Sequence, residues 1–249
     1  MGRFFMRLSY RGAPFHGWQL QPNAVSVQGE IEKALSTVLR HPIAIVGAGR
    51  TDTGVNARVM FAHFDFDDPL PKKGKMLVSL NRLVGRDIAI HDIIPVHEGA
   101  HARFDATTRT YKYFVTFKKT PFFYPLSWFC PNGLDLERMN EAAKILLDTE
   151  DFTSFAKLHS DAKTNICKVT EAEWKMEGKS IAVFTIKADR FLRNMVRAVV
   201  GTLVEVGRGK LSLEDFKGII EKKDRCSAGQ SMPGEALFLW DIKYDYIKE

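Results

Sequence analysis

The 249-residue sequence predicts an α+β protein built from two tandem βαββαβ units, residues 1–105 and 106–249. Three observations carry that expectation. Apolar segments of period-2 and period-3.6 spacing follow one another as strand, helix, strand, strand, helix, strand, and the series then runs a second time. The length suits one large domain or two small ones. The composition, 45% hydrophobic and 27% charged with 18 Gly and 10 Pro, is that of a globular chain and excludes collagen-like, disordered and low-complexity classes.

Each element has its own warrant. Residues 3–10 are rich in β-formers and bounded by Gly12 and Pro14, which predicts a strand. Ser26 stands as an N-cap before Val27, Ile31, Ala34, Leu35, Val38 and Leu39 at helical spacing, and Pro42 stops that helix. Ile43 to Val46 and Val59 to Phe66 are apolar strand segments. Met76, Leu77, Leu80, Leu83 and Val84 mark a second helix ending at Gly85, and Ile88 to Val96 returns as a strand. In the second half, Thr110 to Lys118 alternates as a half-buried strand, and Asp135 caps a helix with Leu136, Met139, Ala143, Leu146 and Leu147 on its apolar face. A hairpin from Cys167 to Ala188 turns at Glu177-Gly178-Lys179. A long helix carries Phe191, Met195, Val199, Leu203 and Val206 on one face. A further helix starts at the capping box Ser212-x-x-Asp215, and Leu237 to Tyr246 closes the set. Duplicated βαββαβ units suggest a ferredoxin-like (RRM-like) plan, with sheets joined around a central cleft suited to a ligand.

Charge and cysteine content narrow the classes. The formal net charge of +6 favours a polyanionic partner. The surplus is even, with 13 basic and 10 acidic residues in 1–105 and 23 and 20 in 106–249, so neither half is a basic tail. Three cysteines, 37 and 59 residues apart and without Cys-x-x-Cys, offer neither a disulfide scaffold nor a zinc ribbon. Arginines at positions 3 and 7 interrupt the apolar stretch a signal peptide needs, and no run approaches a membrane span, so a cytoplasmic protein with no membrane association is expected.

Several cofactor motifs fail on inspection. Gly47-Ala48-Gly49-Arg50-Thr51-Asp52 begins like a dinucleotide loop, yet Asp52 occupies the third glycine position and no Gly-Lys-Ser/Thr follows. His97 and His101 are four apart without His-Glu-x-x-His, and Asp65, Asp67 and Asp68 lack the rest of a calcium loop. No metal and no small-molecule cofactor are therefore expected.

The segment from Val46 to Arg58 is the most unusual stretch. Three glycines bracket an Arg-Thr-Asp core between two predicted strands, where backbone can approach a ligand closely. Taken alone, the loop reads equally as a turn stabilised by Asp52 bonding its own backbone.

Gly49-Arg50-Thr51-Asp52-x-Gly54-Val55-x-Ala57 resembles the catalytic loop of the tRNA pseudouridine synthase A family. The resemblance extends to Tyr10-x-Gly12 with Phe15-x-Gly17-Trp18-Gln19, to Ser26-Val27-Gln28, and to Phe104-x-Ala106-x-x-Arg109-x-Tyr111-Lys112-Tyr113. It continues through Asp151-Phe152-Thr153-Ser154-Phe155 and Phe191-Leu192-x-Asn194-Met195-Val196-Arg197 to Val200-Gly201-Thr202-Leu203. It implies the pseudouridine synthase fold, a homodimer without cofactor, and conversion of uridine to pseudouridine at positions 38, 39 and 40 of the tRNA anticodon stem-loop. Two positions depart from the family's pattern. Asn56 stands where it usually has His, and Ala236 where it usually has Gly.

That reaction breaks the N1–C1′ bond, turns the base and rejoins it through C5. It calls for an ionised carboxylate as nucleophile or base, and Asp52 fits. It also calls for a cation to hold that carboxylate ionised. Arg197, flanked by Met195, Val196, Ala198 and Val199, is the candidate, with Arg50 as a closer phosphate or carboxylate contact. A base drawn out of a stem needs a stacking surface, and Tyr111 matches the family's active-site tyrosine. Phe15, Trp18, Phe61 and Phe64 are expected in the core. Lys72, Lys73, Lys75, Arg190, Arg193 and Arg208 are phosphate contacts or solvated faces. The competing expectations are a non-catalytic RNA-binding protein of paired RRM-like sheets, or a structural protein for which the loop is only a turn.

Overall fold

The computed structural model describes residues 2–158 and 163–247. The chain is a mixed α+β protein with mostly antiparallel strands, divided into two compact units: Met1–Thr107 with Leu239–Glu249, and Thr108–Phe238.

In the first unit β1 (Gly2–Tyr10), α1 (Val27–Leu39), β2 (Val46–Gly47), β3 (Asn56–Phe66), α2 (Lys73–Leu83) and β4 (Ile88–Val96) follow in order. β1 pairs antiparallel with β4 on one side and β3 on the other, and β2 pairs with β3. Ser26 caps α1 by accepting from the Gly29 amide, a contact of about 1 kcal/mol. Ile31, Leu35, Met76 and Leu80 on the helices, and Met6, Leu8 and Met60 on the strands, are buried. Each such side chain stabilises the unit by about 1.5–3 kcal/mol relative to exposure. Arg3 donates to both carboxylate oxygens of Asp65, at 2.7 and 2.8 Å, and ties β1 to β3. The strand expected over Ile43 to Val46 is shorter, because helix side chains take its backbone groups. Ser36 Oγ accepts from the Ile43 amide and Glu32 Oε1 from the Ile45 amide, so only Val46–Gly47 pairs as strand.

In the second unit β5 (Thr108–Thr116), β6 (Trp128–Phe129), α3 (Leu136–Ile145), β7 (Val169–Glu177), β8 (Ile181–Ala188), α4 (Met195–Gly207) and α5 (Leu213–Lys222) follow. Strands run in the order β5-β8-β7, antiparallel throughout, and β6 adds a short parallel pairing to β5 that the sequence reading missed. Asp135 caps α3, and both arms of the Ser212–Asp215 capping box form at α5. α4 is buried nearly all round, with Met195, Ala198, Val199, Val200 and Leu203 inaccessible, so it is the core helix of this unit. It begins after Asn194, which sits at φ 66, so Phe191 precedes the helix rather than lying on its face. The last strand, β9 (Leu237–Lys243), is shorter than the expected run to Tyr246, and from Leu239 onward the chain belongs to the first unit. There Trp240 lies under the Arg58 guanidinium at 4.6 Å, and Tyr244 packs edge-on against Phe5 and Phe61.

Candidate active site

The loop bearing Arg50 and Asp52 is held by the chain between β1 and α1. The β1–β3 register shifts between Leu8–Met60 and Tyr10–Ala57, with the extra residue on β3, an irregularity common beside functional sites. Tyr10 Oη shares a buried 2.8 Å hydrogen bond with Thr51 Oγ1. The Trp18 amide donates to the Thr51 carbonyl at 3.1 Å, so the residue preceding Asp52 is fixed through both backbone and side chain. On the far side, the Val55 amide donates to the Asp52 carbonyl at 3.1 Å and closes a tight turn. Asn56, 2% exposed, accepts the Gly12 amide on Oδ1 at 2.9 Å. Gly12 has to be glycine, because a Cβ there would stand 2.2 Å from the Val55 carbonyl oxygen. Asp52 is left half-buried and Arg50 exposed at the rim of this rigid turn. Of the aromatics expected in the core, Phe15, Trp18, Phe61 and Phe64 are all buried.

In the second unit, Tyr111 lies on β5 opposite Ile186 of β8, half-buried, with the ring of Phe191 edge-on at 5.0 Å. Tyr113, two residues on and therefore on the same face, is fully buried. Burial pushes its hydroxyl pKa well above the usual tyrosine range, and that hydroxyl has no hydrogen-bond partner among the described residues. Tyr113 is thus a core residue that stays protonated, whereas Tyr111 presents a ring at the surface of the strand.

Arg197 projects from the first turn of α4 and is half-buried. Its Nε donates to the Met232 carbonyl at 2.5 Å, and the Met232 amide donates back to the Arg197 carbonyl at 3.1 Å. The segment carrying Met232 can lie that close because α4 offers Gly201 and Thr202. A Cβ on Gly201 would stand 1.8 Å from the Gln230 carbonyl oxygen, and Thr202 Oγ1 accepts the Gly229 amide at 2.9 Å. Asn194 adds a 2.6 Å bond to Ser231 Oγ. The guanidinium is therefore aimed by a tertiary backbone clasp.

The fold thus brings Arg50 and Asp52 onto one loop of the first unit, and places Tyr111 and Arg197 on β5 and α4 of the second. Among the cations considered as phosphate contacts, Lys73 pairs with Asp92, and Arg208 pairs with Glu205 while lying over the Trp128 ring. Sequence reasoning did not assign the contacts that hold these candidates: Tyr10, Gly12 and Asn56 around the loop, Met232 on Arg197, and Phe191 on Tyr111. The Gly201-Thr202 pair was a legible signal of close backbone approach to α4. A concavity of about 430 Å³ in the first unit, between the segments 41–46 and 63–68, includes none of the four candidates. Among the described residues no three His, Cys, Asp or Glu are grouped to hold a metal ion, and no helix is long and apolar enough to cross a membrane.

Residues 142–245 match the family model described as tRNA pseudouridine synthase. The chain is 57% identical over 244 residues to the tRNA pseudouridine synthase A of Parabacteroides distasonis, covering 98% of this chain and 96% of the relative. Identity to the Chlorobaculum tepidum protein of the same name is 39%, with 96% of each chain covered. For the Bacillus subtilis protein, also so named, it is 37%, with 96% and 97% covered.

Proposed function

The chain belongs to the tRNA pseudouridine synthase A family and is an isomerase acting on tRNA, and from that premise we propose that Asp52, Arg50, Tyr111 and Arg197 turn uridine into pseudouridine at positions 38, 39 and 40 of the anticodon stem-loop. Membership of an enzyme family sets aside the reading as a non-catalytic RNA-binding module.

The observation that supports Asp52 is the clamp on its loop: Thr51 pinned by Tyr10 and Trp18, Asn56 by Gly12. A carboxylate that must meet one carbon or one proton of a sugar or base needs its backbone fixed beforehand, since misplacement of about 1 Å can cost about 100-fold in rate. In the proposed reaction the Asp52 carboxylate acts as nucleophile or base while the N1–C1′ bond breaks. The base is flipped from its stem at a cost of a few kcal/mol. It then turns and bonds to C1′ through C5, the C5 proton leaves to solvent, and N1 takes up a proton in its place, so the product is an isomer of the substrate. The ring of Tyr111, backed by Phe191, supplies a stacking face. Arg197, aimed by the Met232 carbonyl, supplies positive charge that favours an ionised carboxylate, and Arg50 contacts phosphate or carboxylate. The isomerisation transfers no electrons, so the enzyme works without a cofactor, as a cytoplasmic homodimer. The first unit's β4-β1-β3-β2 order and the second unit's β5-β8-β7 order support two ferredoxin-like copies of one βαββαβ plan, divided as 1–105 and 106–249 apart from the returning final strand.

The test is tritium release from tRNA labelled at C5 of uridine. Wild-type protein is expected to release it. Asp52→Ala and Asp52→Asn are expected to release none while binding tRNA almost as well, because phosphate contacts supply most of the affinity. Retention of a tenth of the activity by either variant would remove Asp52 from the role.

A further inference from the structure

The turn 97–105 of the first unit holds an exposed phenyl ring on a rigid polar support that the reaction does not use. Phe104 is 74% exposed, and its ring rests on the imidazole of His101 with centroids 4.2 Å apart and planes at 33°. His101 is locked from several directions. Its Nδ1 accepts the amides of Arg103 and Phe104, at 3.1 and 3.3 Å, and its own amide donates to Asp105 Oδ2 at 2.8 Å. The Asp105 amide returns a bond to the His101 carbonyl, and Tyr246 Oη donates to the same Asp105 oxygen at 2.7 Å. Beneath it lies the buried ring of His63, edge-on at 4.7 Å, which accepts the Ala102 amide on Nδ1 at 3.1 Å. Burial holds the pKa of His101 below the ordinary histidine range, so near neutral pH the ring is uncharged and Nδ1 is available as an acceptor.

So many bonds within one short turn fix the plane of a side chain that buries little surface of its own. A phenyl placed for packing would point inward, as Phe5 and Phe61 do nearby. The Arg103 guanidinium stands 5.7 Å from the ring centroid, adding a cation at its face. An aromatic plane with an adjacent guanidinium is the arrangement on which unpaired nucleobases stack. This enzyme's substrate is an RNA.

We infer that Phe104, seated on His101, is a stacking platform for an unpaired base of the tRNA. The inference rests on the tRNA reading but not on the assignment of Asp52.

Stacking is sequence-tolerant and carries no counterion release, which gives it a distinctive signature. Phe104→Leu is expected to weaken tRNA binding by about tenfold or more at fixed salt, without altering the slope of log affinity against log salt. Phe104→Tyr is expected to keep wild-type affinity. In Phe104→Trp, the added indole is expected to be quenched at saturating tRNA, measured against the wild-type tryptophan background. The quenching reads the contact directly, even if the leucine variant folds poorly. Unchanged indole emission at saturating tRNA would overturn the platform. So would an affinity of Phe104→Leu equal to wild type. An indole signal that changes with protein concentration in the absence of RNA would assign the ring to a second copy of the chain and overturn it too. Failure of the wild-type protein to bind tRNA would instead refute the tRNA reading itself.

Discussion

Replacing Asn56 by leucine tests whether the clamp on the Asp52 loop positions the carboxylate or merely joins two segments. The substitution keeps the branch at Cγ, with some added bulk, and removes the Oδ1 that accepts the Gly12 amide at 2.9 Å. That bond is buried, and the glycine is pressed against the carbonyls of Gly54 and Val55. Leaving such an N–H without an acceptor costs about 1–3 kcal/mol. At about 2–4 °C per kcal/mol for a chain of this size, the melting temperature should fall by roughly 2–12 °C. The rate should fall further than stability alone accounts for. Asn56 lies four residues from Asp52, at the start of β3, and without the Gly12 anchor the loop is held less tightly even with the Tyr10–Thr51 and Trp18–Thr51 bonds in place. Single-turnover isomerisation of tRNA at saturating enzyme is the assay, run well below the melting temperature. A drop of about 10- to 100-fold in rate with tRNA affinity within about twofold is expected. Asn56→His provides the sharper control, since a neutral imidazole can accept the same amide and a protonated one cannot. Its rate should approach wild type above about pH 7 and fall below about pH 6, where the wild-type amide does not titrate. If Asn56→Leu turns over at the wild-type rate with an unchanged melting temperature, the clamp is not what places Asp52.

Three further outcomes follow from the same geometry. Tyr111→Phe keeps the ring against Phe191 and should bind tRNA as wild type does, with a turnover defect if the hydroxyl relays a proton; Tyr111→Leu should lose both, as read by affinity and tritium release, and wild-type kinetics for it would exclude a stacking role. Arg197→Ala should abolish most turnover while circular dichroism stays native, and Arg197→Lys should recover only part of it, because the ammonium lacks the planar fork whose Nε meets the Met232 carbonyl. His63 should make the protein acid-sensitive. Burial lowers its pKa from 6.5 to about 4, so between those values the unfolded chain binds the proton and the folded chain does not, and stability falls as pH drops through that window by about 3 kcal/mol. His63→Asn, which retains an acceptor for the Ala102 amide, should flatten thermal melts between pH 6.5 and 4.5, and melts that still parallel wild type would refute the assignment.

Periodicity was sufficient for most of the fold because the elements that carry it are bounded by local chemistry. Ser26, Asp135 and the Ser212–Asp215 pair cap the helices the sequence places after them, and Gly85 and Gly178 sit at positive φ where a turn is expected. The misplacements have tertiary causes. Ile43 to Ile45 is apolar enough for a strand, yet its amides are taken by Ser36 and Glu32, residues on a helix that no local pattern couples to it. Trp128–Phe129 pairing with β5 is likewise a non-local match two residues long, too short to leave any period.

The candidate site divides along the same line, between residue identity and residue placement. Asp52 and Arg50 were legible because three glycines around a charged core are chemically odd in a loop, and the family resemblance then gave the oddity a role. What holds them was not legible, since Tyr10 reads as an ordinary strand terminus and its hydroxyl meets Thr51 across a separation of 41 residues that no local pattern spans. Arg197 shows the converse. Its apolar neighbours mark it as a cation in need of a partner, and one contact that aims it is a backbone carbonyl brought in by Gly201 and Thr202, one helical turn further along α4. A carbonyl accepts from the guanidinium without neutralising it. The Met232 contact therefore orients the guanidinium without drawing on its charge.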